Sequence, residues 1–174
     1  MRPEAGFSTV SLGEGRSPKP MQAQYADLRA LWKQATVPVV FRRSRPNPLL
    51  VRLPYANDNF EWLRGDRRTK PKWNPQYKAW EVPIAWFENL VQQLLKRYRK
   101  AYVVQLYKEQ QKCAPACWNA KGLHCECSCM GANHGSGYPG GTWHEVSETF
   151  AVSWGERKYS CRLLTAPTER ESCS

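Results

Sequence analysis

The sequence predicts an α+β protein in which a small antiparallel sheet packs against one long helix. Two observations lead to this class. Short segments of β type, separated by turns rich in Asn, Pro and Gly, surround a single long helical repeat. Beyond a cysteine-rich segment, two alternating segments flank Gly155-Glu156, as the strands of a β-hairpin do. We therefore expect the sheet and helix to be followed by a cysteine-rich loop region and a C-terminal β-hairpin.

The first third of the chain predicts one short helix and several strands. Residues 21–34 carry apolar side chains at helical spacing, which indicates an amphipathic helix. An extended segment begins at residues 37–40, where Pro38 favours a position at the edge of a sheet. Further strands are predicted at residues 49–53 and 60–63, on either side of an Asn-Asp-Asn turn.

The long helix follows a predicted hairpin. Trp73 and residues 79–82 indicate two strands around an Asn-Pro-Gln-Tyr turn, and Pro83 suits the first helical position. The apolar side chains that then recur at helical spacing are Ile84, Phe87, Leu90, Val91, Leu94, Leu95 and Tyr98. They form one wide stripe on a helix of about four turns. A strand is predicted after it, at residues 102–107.

The C-terminal part predicts strands at residues 142–146, 148–154 and 158–164, the last of which places Cys161 in a strand as a small buried side chain. The expected organisation is a disordered tail at 1–20, a basic α+β region at 21–107, a cysteine-rich segment at 108–141, the hairpin at 142–166 and a second disordered tail at 167–174.

Positive charge is concentrated in the middle of the chain. The whole protein has 174 residues and a formal net charge of +11. Residues 41–100 contain fourteen Lys and Arg against five Asp and Glu, a net charge of +9. The same segment holds four of the eight tryptophans. Cations that neutralise phosphates and rings that stack on unpaired bases are what a single-stranded nucleic-acid binder needs. The alternative is that the rings are core and the charge aids solubility.

A second basic cluster lies at the C-terminal end of the long helix. It consists of Lys96, Arg97, Arg99 and Lys100. These cations are candidates for phosphate contacts, but they also suit the negative end of a helix dipole, and both interpretations stand.

The segment from about residue 50 to residue 95 resembles the HARP domain of annealing helicases. The similarity lies in an aromatic strand, a turn, the run Lys78-Ala79-Trp80-Glu81-Val82-Pro83, and a helix opening with Ile84 and Phe87. It implies binding to DNA where single strand meets duplex, on a compact sheet with a packed helix, although the chain has no helicase motor. The phosphate contacts it implies are Arg67, Arg68, Lys70, Lys72 and Lys78, with Trp73 as a stacking residue and Trp80 in the core.

Five of the seven cysteines fall within residues 113–129, with the spacing C-x3-C-x7-C-x-C-x-C, and His134 follows. Disulfides are disfavoured because the number is odd and cysteines one residue apart rarely meet disulfide geometry. Thiolates and imidazoles at such spacing favour a structural Zn²⁺ site, with an iron–sulfur cluster or redox thiols as alternatives.

Spacing alone does not order these ligands. The predicted Zn²⁺ ligands are Cys113, Cys117, Cys127 and His134, with Cys125 and Cys129 as alternates. His124 is interpreted as a surface or supporting residue. The whole Cys/His block resembles one found in small proteins of phages and mobile elements, which implies such an origin.

The expected function is zinc-supported binding of single-stranded or junction nucleic acid in the cytoplasm. No apolar run approaches the ~20 residues that span a membrane, and residues 1–20 lack the apolar segment of a secretory signal. The alternatives are a module that binds and inhibits a protein partner, and a zinc-dependent nuclease. The nuclease would need Glu126 beside the metal or His144 with Glu145 and Glu148. No P-loop or nucleophile-elbow motif occurs, so we expect a binding protein rather than an enzyme.

Overall fold

The computed structural model describes residues 26–106, 108, 110, 112–128 and 144–167. The strands are β1 (Ala26–Asp27), β2 (Val39–Arg42), β3 (Leu49–Arg52), β4 (Lys72–Asn74), β5 (Ala79–Val82), β6 (Lys100–Leu106), β7 (Glu145–Trp154) and β8 (Arg157–Thr165). The helices are α1 (Leu28–Lys33), α2 (Asn59–Arg64), α3 (Phe87–Tyr98) and α4 (Pro115–Trp118), with a 3-10 turn at Ile84–Trp86. In the described part of the chain, no helix is both long and apolar enough to cross a membrane.

The predicted α+β class is confirmed, but the sheet is larger than expected and mixed. The described strands form one eight-stranded sheet in the order β1-β7-β8-β6-β2-β3-β5-β4. Two neighbouring pairs are parallel, β1 with β7 and β2 with β6, and the rest are antiparallel. The C-terminal hairpin belongs to this same sheet, because β8 pairs with β6 along seven residues.

Strand β2 lies in the middle of the sheet, so the edge position predicted from Pro38 is wrong. Pro38 precedes the first residue of the strand, where a missing N–H removes no ladder hydrogen bond. Its carbonyl still accepts from the Tyr102 N–H at 2.9 Å, which begins the parallel pairing with β6.

The strand predicted at residues 60–63 is instead helix α2. The Asn-Asp-Asn run at its start is typical of a turn, but Asn and Asp also favour the first positions of helices. Trp62 N–H donates to the Asp58 carbonyl at 2.8 Å, and the Asn59 side chain donates to the Pro54 carbonyl at 2.9 Å. Asn59 and Leu63, four residues apart, face the core.

Both faces of the sheet are covered. Helix α3 packs its predicted apolar stripe on one face, against Val40, Val51 and Val103. On the other face, α1 places Trp32 against Phe41 at 6.3 Å between ring centroids. The helix predicted at residues 21–34 is thus confirmed for Leu28–Lys33, and residues 21–25 lie outside the described residues. The expected disordered tail at 1–20 also lies outside them.

The C-terminal hairpin is one long pair of strands. The two strands predicted before Gly155 are the single strand β7, with a bulge between Val146 and Glu148. Near its tip, Trp154 stacks on Phe41 at 5.9 Å and meets Tyr77 at 5.7 Å. Tyr77 comes from the turn between β4 and β5, near the opposite end of the strand order, so the sheet is strongly curved.

Candidate functional site

The cysteine-rich segment brings three predicted ligands together. The Sγ atoms of Cys113, Cys117 and Cys127 all lie within 4.8 Å of one another, and those of Cys117 and Cys127 are 3.7 Å apart. The short helix α4 begins with Pro115 at its first position and carries Cys117 back toward Cys113. This cysteine cluster can hold a metal ion. His134 and Cys129 lie outside the described residues.

Cys125, an alternate ligand, also lies in the cluster. Its Sγ atom is 3.4 Å from that of Cys127 and 3.9 Å from that of Cys117. Four thiolates bound tetrahedrally to Zn²⁺ at about 2.3 Å would be separated by about 3.8 Å. These separations are near this value and far longer than an S–S bond, and none of the five described cysteines forms a disulfide.

The cluster is fixed to the same face of the sheet as helix α3. Leu123 is fully buried in that core, and its N–H donates to Glu88 Oε1 on α3 at 2.6 Å. Cys125 N–H donates to Gln105 Oε1 at 3.3 Å, and Arg162 Nη2 donates to the same oxygen at 3.0 Å. Arg162, which is only 1% exposed, also donates to the Leu123 carbonyl, so buried hydrogen bonds join the segment to both β6 and β8. Sequence reasoning missed Glu88, Gln105 and Arg162.

The residues considered for zinc-dependent catalysis are not gathered into one group. Glu126 beside the cluster pairs with His124 at 3.0 Å and with the Lys108 ammonium at 3.6 Å. His144 is buried just before β7, whereas Glu145 and Glu148 on that strand are exposed. His124, interpreted from sequence as a surface residue, is half exposed.

The basic residues implied by the HARP resemblance surround the outer strand β4. Four of them are exposed cations, namely Arg68, Lys70, Lys72 and Lys78. Arg67 differs, since its guanidinium lies 4.4 Å above the Trp86 ring and donates to the Leu63 carbonyl at 3.0 Å. Arg67 therefore supports the packing of α3 more than it offers a free cation.

The second basic cluster is only partly open to a ligand. Arg97 donates to the Asp58 carboxylate at 2.7 Å and lies 5.0 Å above the Trp62 ring. This hydrogen bond holds the pKa of Asp58 below its usual value. Arg99 has the left-handed conformation that ends α3, while Lys96 and Lys100 are exposed. Arg97 is therefore engaged by Asp58 and Trp62, which makes it less available to a phosphate than Lys96 and Lys100.

An aromatic groove lies beside strand β4. We define it by a cavity of about 470 Å³ whose aromatic lining is Tyr55, Phe60, Trp73 and Trp80 and whose cations are Arg52 and Lys78. Trp73 and Tyr55 are among the most exposed large rings of the described chain, at 53% and 91%. Trp80, predicted in the core, is half-buried and packs against that core while its ring meets Trp73 edge-on at 5.2 Å.

The aromatic groove continues onto the other face of the sheet. A second cavity of about 320 Å³ shares Arg52 and Lys78 with it and adds Arg29 and Lys33. Arg52 is held in place where the two meet, because its Nη1 donates to the Lys78 carbonyl at 2.6 Å. Sequence reasoning did not assign Tyr55, Phe60 or Arg52 to the site; the interleaving of basic and aromatic residues in 41–100 was the signal that included them.

A different cavity, of about 650 Å³, lies next to the cysteine cluster. We call it the arginine cavity, and its charged or titratable lining is Arg42, Arg43, Arg45, His124 and Glu126. Burial lowers the pKa of Arg42, and the neighbouring Arg45 lowers it further. Burial also lowers the pKa of His124, with Arg42 adding to the effect.

Comparison with protein-family models, curated proteins and solved structures finds none that is significantly similar to the chain. The resemblance to HARP domains and the resemblance of the Cys/His block therefore stay predictions.

Proposed function

We propose that the protein binds single-stranded or junction nucleic acid in the aromatic groove, and that Zn²⁺ in the cysteine cluster stabilises the fold that presents it. The observation that carries the proposal is the groove itself, where Trp73 is exposed at the sheet edge between cations. A large ring exposed to water loses hydrophobic stabilisation, and it regains it when a base stacks on it.

The groove has the two parts that such binding needs. Each base stacked on an aromatic side chain contributes about 1–3 kcal/mol, whatever its identity. Lys78 and Arg52 stand where the groove joins the second cavity, and Arg29 and Lys33 extend the positive charge along that path. A strand that follows the path would place its bases near Trp73 and its phosphates near these cations. The HARP resemblance of the same segment supports this interpretation.

Zinc is the metal we infer for the cysteine cluster. Thiolate donors favour Zn²⁺, and the sulfur separations of 3.4–3.9 Å suit its tetrahedral geometry. Cys113, Cys117 and Cys127 would supply three ligands, and the fourth would come from Cys125, Cys129 or His134. Reduced thiols of this kind favour a cytoplasmic location, and the resemblance of the block favours a phage or mobile-element origin.

Fluorescence anisotropy with a labelled single-stranded oligonucleotide tests the proposal. Trp73→Ala is expected to weaken binding by about 5- to 150-fold, which corresponds to the loss of 1–3 kcal/mol of stacking. Trp118→Ala is the matched control, because Trp118 is also exposed, at 49%, but lies on α4 outside the groove. Equal affinities for the two variants would contradict the proposal.

Salt dependence separates the phosphate contacts from the stacking. Lys78→Gln is expected to weaken binding at low salt and to reduce the slope of log affinity against log salt by about 1. Trp73→Ala should leave that slope unchanged. Affinity that does not respond to salt would rule out the phosphate contacts.

A further inference from the structure

The arginine cavity lies where ligands commonly bind in sheets with parallel strands. Strands β2 and β6 are parallel neighbours, and they end beside each other at Arg42 and Leu106. In open α/β sheets, ligands bind in crevices outside the carboxyl ends of the strands, and this cavity lies at the corresponding end of the β2–β6 pair. Arg42, Gln105 and Leu106, the last residues of these strands, line the cavity. The aromatic groove has a different lining.

Two of the three arginines are held in position by their own contacts. The Arg42 guanidinium lies 4.9 Å above the Phe87 ring. Arg43 Nη2 donates to the Pro48 carbonyl at 3.3 Å and lies 3.5 Å from the Glu81 carboxylate. Guanidinium groups fixed in this way lose little side-chain freedom when they bind an oxyanion.

Positive charge exceeds negative charge in the lining. Three arginines face one carboxylate, Glu126, among the described residues that line the cavity. Glu126 is already engaged by His124 at 3.0 Å and by Lys108 at 3.6 Å. Arg43 is likewise paired with Glu81, so Arg42 and Arg45 are the lining arginines that can attract an anion such as a phosphate monoester.

Gln105 forms a fixed part of the wall of the arginine cavity. It is 2% exposed and lines the cavity, and its Oε1 accepts from Cys125 N–H and Arg162 Nη2. Its Nε2 has no hydrogen-bond partner among the described residues. That nitrogen is itself buried, so Gln105 shapes the cavity wall rather than contacting a ligand through Nε2.

We propose that the arginine cavity is a binding site for the phosphate monoester of a nucleotide, either free or at the end of a nucleic-acid strand. Its volume of about 650 Å³ exceeds what a phosphate alone needs and lies in the range of pockets for small organic ligands. Ile84 and Leu106 provide apolar walls for the nucleoside, and Ser44 adds a hydroxyl donor. This proposal goes beyond the aromatic groove and does not depend on it.

Isothermal titration of the full chain tests the site with three probes: adenosine 5′-monophosphate, a 5′-phosphorylated single-stranded oligonucleotide, and the same oligonucleotide with a 5′-hydroxyl. Arg45→Gln is the test variant, because Arg45 is exposed and its loss leaves the core intact. Arg157→Gln is the control, since it removes the same charge from an exposed position of the hairpin. Circular dichroism confirms that both variants are folded.

The expected result is that the monophosphate binds the wild type and Arg157→Gln equally, and Arg45→Gln at least tenfold more weakly. If the phosphorylated oligonucleotide binds more tightly than the hydroxyl one, and Arg45→Gln abolishes this difference, the site takes strand ends. If the monophosphate binds but the two oligonucleotides bind equally, the site takes free nucleotides. Absence of monophosphate binding, together with equal affinities for the phosphorylated and hydroxyl oligonucleotides, would overturn the proposal. The aromatic groove is tested separately, because Trp73→Ala should weaken the hydroxyl oligonucleotide and leave monophosphate binding unchanged.

Discussion

Replacing Cys127 with serine removes a central thiol of the cysteine cluster. Cys127 is 6% exposed, and its Sγ atom lies 3.7 Å from that of Cys117 and 3.4 Å from that of Cys125. Both distances are close to the separation of about 3.8 Å expected around tetrahedral Zn²⁺. Serine is a much weaker zinc ligand because its hydroxyl stays protonated at neutral pH. Cys127→Ser is therefore expected to abolish or strongly weaken metal binding.

The size of the effect follows from ligand linkage. Loss of a residue that only supports a ligand weakens metal affinity by about 10- to 100-fold, so loss of a ligand should exceed 100-fold. In free zinc at 1,000 times the wild-type dissociation constant, the metal stabilises the fold by about 4 kcal/mol. A 100-fold weaker site keeps about 1.4 kcal/mol of this, so Cys127→Ser should lose at least about 2.7 kcal/mol.

Cys161→Ser is the matched control. Cys161 is fully buried on β8, away from the cluster, and burial raises the pKa of its thiol. Its serine variant should lose stability, because a hydroxyl is buried, but should keep about one zinc per chain. The assays are elemental analysis of protein purified without a histidine tag, and urea denaturation with and without a chelator. Wild-type protein without zinc, or a Cys127→Ser variant with full zinc content, would refute the reasoning.

Three further predictions concern the attachment of the cluster and the helix end. Leu123→Ala should lower the free energy of unfolding by about 3 kcal/mol in urea denaturation, because Leu123 is fully buried against α3; a loss below about 1 kcal/mol would contradict that packing. Glu88→Gln, which keeps an acceptor for the Leu123 N–H, should destabilise less than Glu88→Ala by about 1–2 kcal/mol, and equal effects would show that the bond is not formed. Arg97 lowers the pKa of Asp58, so the extra stability of wild type over Asp58→Asn should be present above about pH 4 and disappear as the pH falls through the lowered pKa. An equal difference at pH 2 and pH 7 in urea midpoints would contradict the ion pair.

The sequence predicted the elements whose pattern is local. Helix α3 followed from a single apolar stripe, and the strands on either side of Gly155 followed from alternation around a turn. Helix α2 was not predicted, because it has only six residues and two buried positions. That pattern is too short to distinguish a helix from a strand. The sheet order also could not be derived, since the parallel pairing of β2 with β6 joins segments about sixty residues apart.

The candidate sites also differ in whether their residues are close in sequence. Cys113, Cys117 and Cys127 were predicted as neighbours because they lie within fifteen residues of one another, at a spacing typical of metal ligands. The arginine cavity was not predicted, because Arg42 meets His124 only after the cysteine-rich segment packs on α3 and the sheet. Arg67 was expected to contact phosphate from the HARP resemblance and Arg97 from the basic cluster, whereas the structure engages both with aromatic rings and neighbouring polar groups.

Photo-crosslinking of a single-stranded oligonucleotide containing 5-iodouracil tests the central proposal most directly. Halogenated bases react with aromatic side chains on which they stack, and mass spectrometry identifies the attached residue. The proposed binding mode predicts adducts on Trp73 or Tyr55 of the aromatic groove, with Trp118 unmodified. Adducts confined to Trp118, or spread equally over all exposed aromatic residues, would contradict it.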